Sequence, residues 1–226
     1  MARGMRSWPA AAGRAKLAGM VWLYDRYVVP WLLNCACSAS PIVHQRAKIV
    51  PEAKGRVLEL GMGSGLNLPF YDRAKISSLE GLEPSEPLRR MAQAAAGREG
   101  LPVEITPGRA EALPYQTGVF DTVVCTFTLC SVQDPAAALA EARRVLKPDG
   151  RLLFCEHGLA PDGGVVKWQR RIEPVWKAIA GGCHLTRPVA ASIAAAGFRV
   201  ERCATMYLPN TPHWAGWNEW GSAAPA

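Results

Sequence analysis

Residues 57–65 read Val-Leu-Glu-Leu-Gly-Met-Gly-Ser-Gly, an apolar run interrupted by one carboxylate and closed by three alternating glycines. Val57, Leu58 and Leu60 suit a buried strand, and Gly61, Gly63 and Gly65 let the backbone turn sharply with no Cβ between loop and ligand. A strand that feeds a helix through such a turn belongs to an open α/β sheet, whose ligands collect at the carboxyl ends of the strands. Dinucleotide folds space the glycines G-x-G-x-x-G and set a pyrophosphate on the helix N-terminus. Here the motif is one residue shorter, and Glu59 precedes the first glycine by two. A carboxylate there repels a pyrophosphate and attracts cationic groups. S-adenosylmethionine, with an ammonium, a sulfonium and no phosphate, fits that charge. Glu83 follows Gly65 by 18 residues, at the end of a second apolar run, where an acid can accept hydrogen bonds from both ribose hydroxyls. The same features disfavour a nicotinamide-dependent oxidoreductase.

The rest of the chain supports a layered α/β reading. Strands are expected over residues 56–60, 76–82, 103–106, 120–126, 151–156 and 198–206, and the final run to Trp220 supplies one more, antiparallel. Helical patterns fill 88–96, 135–146 and 188–196, and also 165–180, where Pro174 must start, kink or break the helix. With 226 residues and 49% hydrophobic content, the chain suits one domain, 51–222, preceded by a basic helical extension over 1–50.

Five segments resemble the class I S-adenosylmethionine-dependent methyltransferases, in the branch of the ubiquinone and menaquinone C-methyltransferases. They are Val57-Leu58-Glu59-Leu60-Gly61, Leu82-Glu83-Pro84-Ser85, Ala110-Glu111-Ala112-Leu113-Pro114, Phe120-Asp121-Thr122-Val123-Val124 and Leu146-Lys147-Pro148-Asp149-Gly150. The resemblance implies a Rossmann-like fold: a seven-stranded, mostly parallel sheet with helices on both faces and an N-terminal helical lid. It implies that Glu59 and the glycine loop hold the methionine moiety, Glu83 with Pro84 the ribose, and Ala110 and Glu111 the adenine. Thr126, Phe127 and Leu129 then line the cofactor pocket. Relatives often carry an acid after the residue equivalent to Gly108; this chain has Arg109. A narrower resemblance, through Leu129-Cys130-Ser131-Val132, Glu156-His157, Trp168-Gln169, Pro174-Val175-Trp176 and 182–187, is to the animal membrane-associated methyltransferases of alkyl thiols and hydrogen sulfide and their bacterial relatives.

Methyl transfer needs an acceptor lone pair more than a catalytic triad. A thiol, with a pKa near 8.5, reacts as thiolate with little help, whereas a phenol or an amine more often needs a base. Glu156 and His157, at the end of the fifth strand, and His184 are the candidates to orient or deprotonate the acceptor. A small thiol or sulfide is the first expectation, and a phospholipid amine, a quinol or another hydrophobic molecule the second. A non-catalytic S-adenosylmethionine-binding protein is the rival from another class. The seven cysteines lack C-x-x-C spacing, so no metal is expected; Cys125, Cys130 and Cys155 read as buried thiols in a reducing, cytoplasmic compartment. Trp168, Trp176, Trp214, Trp217 and Trp220 read equally as walls of an apolar pocket or as core. The charge of +7 includes Arg3, Arg6, Arg14, Lys16 and Arg26, but no basic stripe interleaved with aromatics argues for nucleic acid. Residues 20–33 are apolar but broken by Asp25, Arg26 and Pro30, which leaves lid and peripheral membrane contact both open.

Overall fold

The computed structural model describes residues 28–226. Two helices, α1 (Val29–Cys37) and α2 (Ser40–Ile49), lead into β1 (Gly55–Leu60), β2 (Ile76–Leu82), α3 (Glu86–Glu99), β3 (Glu104–Thr106), β4 (Phe120–Thr126), α4 (Pro135–Val145) and β5 (Leu146–His157). After these come α5 (Gly163–Ile179), α6 (Val189–Ala195), β6 (Phe198–Tyr207), the short α7 (His213–Gly216) and β7 (Trp217–Pro225). The sheet order is β3-β2-β1-β4-β5-β7-β6, and β7 runs antiparallel to both neighbours while the other pairs are parallel. The seven-stranded, mostly parallel Rossmann-like sheet is therefore present. Chain order reverses between β1 and β4, which opens a crevice beyond their carboxyl ends.

The central strands are apolar on both faces because both faces are covered. Leu58, Leu60, Val123, Cys125, Leu152 and Phe154 pack with α4 and α6 residues such as Leu139 and Ile193. Val57, Val124, Leu153 and Cys155 face Ile49 of α2 and Ala92 of α3. Asp134 caps α4, its Oδ1 accepting from the backbone amides of Ala136 and Ala137 at 3.0 and 3.1 Å.

Two boundaries, of β5 and β7, differ from expectation, and Pro174 falls inside its helix. The 148–150 turn is absorbed into β5 as an irregularity, since Phe120 pairs with Leu146 and Thr122 already with Arg151. Pro174 neither starts nor ends α5; it and Arg170, whose carbonyl it leaves without an amide, are both exposed, so water can satisfy that carbonyl. The last strand begins at Trp217 and runs on to Pro225. The basic residues at 3–26, and most of the 20–33 segment, lie outside the described residues. Among those described, no helix is long and apolar enough to cross a membrane.

The β6–β7 pairing carries a tight constraint. Its register shifts between Val200 and Arg202, and a Cβ on Gly221 would stand 1.8 Å from the Arg202 carbonyl oxygen. Backbone cannot step aside as a rotamer can. Gly221→Ala is expected to destabilise the fold by at least about 1–3 kcal/mol, read as a lower denaturation midpoint; an unchanged midpoint would contradict the pairing.

Candidate active site

A cleft of about 320 Å³ opens at the switch point, lined by the loop after β1, the ends of β2 and β4, residues 108–111 and the inner face of α1. That volume falls in the range of about 300–1,000 Å³ usual for small-molecule sites. Gly61 has φ +62°, and a Cβ there would lie 2.5 Å from Thr128 Oγ1, so the two strand ends can approach only around glycine. Gly63, at φ +59°, has nothing nearer than 3.9 Å and faces open space. The loop is pinned to β2 by Glu83, whose carboxylate accepts from the amides of Gly63 (2.9 Å) and Ser85 (2.8 Å). Burial raises Glu83 above its ordinary value, against the pull of these amides and of Arg89. One backbone amide on each oxygen leaves each a lone pair for a ligand hydroxyl.

Of the residues expected at the pocket, Gly61, Gly63, Glu83, Pro84, Ala110, Glu111, Thr126 and Phe127 line the cleft. Glu59, Gly65 and Leu129 do not. Gly65 serves packing instead: a Cβ would meet Leu68 Cδ1 at 2.8 Å and Ala92 Cα at 3.2 Å. The Leu129 side chain joins the core. Glu111 already accepts from the Gln133 and Asp134 amides, and Arg109, half exposed, stands 3.7 Å from it.

Glu59 lies behind the loop, bonded to Tyr71 Oη at 2.6 Å and Asn67 Nδ2 at 2.9 Å. Asn67 in turn accepts from Arg46 Nη1 (2.9 Å), which also donates to Thr126 Oγ1 at 2.7 Å. Arg46 is buried, lines the cleft and lies over the Phe127 ring at 5.0 Å, and its Nε–H has no acceptor. Sequence reasoning missed this residue, because it sits on α2 within the stretch read as an extension, and only its neighbours in space mark it. The α1 helix closes the mouth with Val29, Pro30, Asn34 and Cys37, and Ser64 Oγ donates to Asn34 Oδ1 at 2.6 Å.

On the β4–β5 side, Glu156 Oε1 accepts from the amides of Thr128 (2.8 Å) and Leu129 (3.0 Å), so it shapes the loop after β4. Its Oε2 is buried with no partner. Burial, aided by negative charge at Cys130, pushes this carboxyl up to about 7 despite the amides. His157 Nε2 lies 2.8 Å from Cys183 Sγ, and Cys130, His157 and Cys183 bring their ligand atoms within 4.8 Å of one another. A hydrogen bond from Cys183 and the nearby His157 hold the Cys130 thiol well below the ordinary cysteine range, against burial, while Cys183 is raised. Burial works to lower His157, but anionic Cys130 holds it above its usual value. His184 is elsewhere: its Nδ1 meets Glu173 at 3.1 Å, and Glu173 also binds the Leu185 amide and Thr186 Oγ1. Cys125 and Cys155 are buried core residues, and none of the five tryptophans expected as core or pocket wall lines the cleft.

Burial pushes the Glu59 carboxyl from 4.5 up to about 7, outweighing Tyr71, Arg46 and Asn67, which lower it. An acid whose folded pKa is raised contributes most below its unfolded pKa, and that contribution is lost as pH climbs through the folded one. Unliganded protein should therefore lose stability from Glu59 between about pH 4.5 and 7, and Glu59→Gln should flatten that part of the curve. Equal slopes for parent and variant would contradict the assignment.

The cleft and fold have counterparts among known proteins. Residues 58–154 match the model of a methyltransferase domain. The chain is 38% identical over 176 residues to thiol S-methyltransferase TMT1B of Homo sapiens, covering 73% of this chain and 71% of that protein. It is 35% identical over 113 residues to demethylmenaquinone methyltransferase of Thermus thermophilus, about half of each chain. In fold it is similar to a SAM-dependent methyltransferase from Aquifex aeolicus (TM-score 0.59, 18% identity, 87% and 98% of the two chains). It is also similar to geranyl diphosphate methyltransferase in complex with SAM (TM-score 0.66, 15% identity, 81% and 84%). A glycine-rich loop, a buried acid at the end of β2 and these relatives converge: the chain belongs to the S-adenosylmethionine-dependent methyltransferases.

Proposed function

We propose that this methyltransferase acts on a small thiol or sulfide. When bound, S-adenosylmethionine supplies a methyl carbon on a sulfonium, from which an acceptor lone pair displaces the thioether in line. On the donor side, Glu83 is assigned to the ribose hydroxyls, through the lone pairs its two amide contacts leave free. Arg46 Nε–H, buried and without an acceptor, is assigned to the donor's carboxylate. Glu59 is assigned a positioning role: through Asn67 it orients Arg46 and does not itself line the cleft. Ala110 and its neighbours frame the adenine, with α1 excluding water.

The observation that carries the thiol reading is the likeness to thiol S-methyltransferases. It spans 176 residues, well beyond the residues 58–154 of the general domain, and so takes in sequence that the donor alone does not dictate. The chemistry on the acceptor side agrees. Beyond Thr126–Thr128, past the Glu156 carboxylate that holds the loop, sulfur and imidazole cluster at Cys130, Cys183 and His157. Glu156 and His184, tied to the β4 loop and to Glu173, are assigned as positioning residues, and His157 as the residue that faces the acceptor side.

Incubation of the purified protein with the methyl donor and a panel of alkyl thiols, sulfide, phenols, quinols and phosphatidylethanolamine should give S-methyl products. Turnover of a phenol, quinol or amine with no S-methyl product would remove the thiol assignment. Donor uptake without turnover on any acceptor would favour a non-catalytic binder.

A further inference from the structure

We propose that Cys130, His157 and Cys183 form a three-ligand site for one zinc-class metal ion, whose open fourth position takes the acceptor sulfur. The second half rests on the thiol reading above; the first does not. The three donors come from separate elements: the loop after β4, the end of β5 and the loop after α5. Nothing in local sequence spacing brings them together, yet their ligand atoms lie within 4.8 Å of one another. A tetrahedral zinc ion with Zn–S near 2.3 Å and Zn–N near 2.0–2.1 Å sets ligand atoms about 3.6–3.8 Å apart. The 2.8 Å contact of His157 Nε2 with Cys183 Sγ therefore has to open by only about 0.8 Å to admit the ion.

The surroundings suit an ion better than three neutral side chains. Two thiolates balance a divalent cation, so the site can be buried without net charge. Two polar groups at its edge lack partners: Trp176 Nε1–H makes no standard hydrogen bond and lies beside the Cys183 sulfur, and Glu156 Oε2 is buried and unpaired near Cys130. An indole N–H donating to a coordinated thiolate is the outer support that metal sites use to hold a ligand in place.

Two thiolates and one imidazole make the protein half of a catalytic Cys2His site, with the fourth position left to a ligand. Ser131, next to Cys130, and Gly181, two residues before Cys183, line the donor cleft, so the site adjoins it. An acceptor thiol entering the fourth position gives its proton to solvent. Its sulfur pair then forms the new S–CH3 bond as the methyl–sulfonium bond breaks, with that pair left on the donor's sulfur. Three thiolates on a divalent ion carry one negative charge, complementary to the sulfonium they face.

The test is metal analysis of the full chain purified without a metal-binding tag, followed by reconstitution with Co(II). The expected result is about one equivalent of zinc. On Co(II) substitution, thiolate-to-cobalt charge transfer and the intense visible bands of a tetrahedral ion should appear. Cys130→Ser and Cys183→Ser should lose the charge-transfer band, Cys203→Ser on exposed β6 should keep it, and Trp176→Phe should weaken metal binding about 10–100-fold. Adding an alkyl thiol should shift the visible bands. Parent protein that takes up neither ion, or charge transfer that persists without Cys130 and Cys183, would overturn the site. Unshifted bands at saturating, turned-over thiol would overturn the fourth-position role. Metal uptake without thiol methylation would sink the thiol reading and leave the metal site standing, whereas thiol methylation by a protein that binds no metal would do the reverse.

Discussion

Arg46 is the buried charge around which the carboxyl ends of β1 and β4 are organised. It brings a positive charge from α2 into the carboxyl ends of β1 and β4, where it is held by Asn67 and Thr126 and stacked on Phe127. A buried guanidinium is costly unless its donors are matched. Nη1 is doubly used, whereas Nε is buried without an acceptor, and the residue lines the cleft. Glu59, one step removed through Asn67, supplies the compensating carboxyl. The network thus couples the helices before the sheet to the glycine loop, and the fold of the one fixes the geometry of the other.

Two further carboxylates play matching parts on either side of the crevice. Glu83 holds the loop after β1 by the Gly63 amide, and Glu156 holds the loop after β4 by the Thr128 and Leu129 amides. Each converts a flexible loop at a strand end into a fixed wall. Between them Gly61 and Thr128 approach so closely that a methyl group could not intervene. The sulfur cluster adjoins this cleft through Ser131 and Gly181.

Much of this was legible in the sequence because its signals are local. The glycine spacing, the acid ending β2 and the apolar runs of β1, β4 and β5 each act within a few residues, whereas the strand order came only with the structure. Glu59 shows the limit of such reading. Its position before the loop marks the family, but the side chain turns inward to Tyr71 and Asn67, which only packing decides. Arg46 and the trio of Cys130, His157 and Cys183 were illegible for the same reason. Their partners are distant in sequence, Arg46 and Thr126 standing 80 positions apart and His157 and Cys183 26. Pro174, expected to start, kink or break a helix, lies inside α5 on an exposed face, where water can satisfy the carbonyl it frees.

In the proposed account a donor anchored at Arg46 and Glu83 meets its acceptor on the side where Cys130, His157 and Cys183 adjoin the cleft. A crystal structure with S-adenosylhomocysteine bound tests it most directly. The account predicts the ligand carboxylate within hydrogen-bonding distance of Arg46 Nε, the ribose on Glu83, and the thioether sulfur turned toward the side of Cys130, His157 and Cys183. A ligand whose carboxylate is held elsewhere, or whose sulfur points away from that cluster, would contradict it.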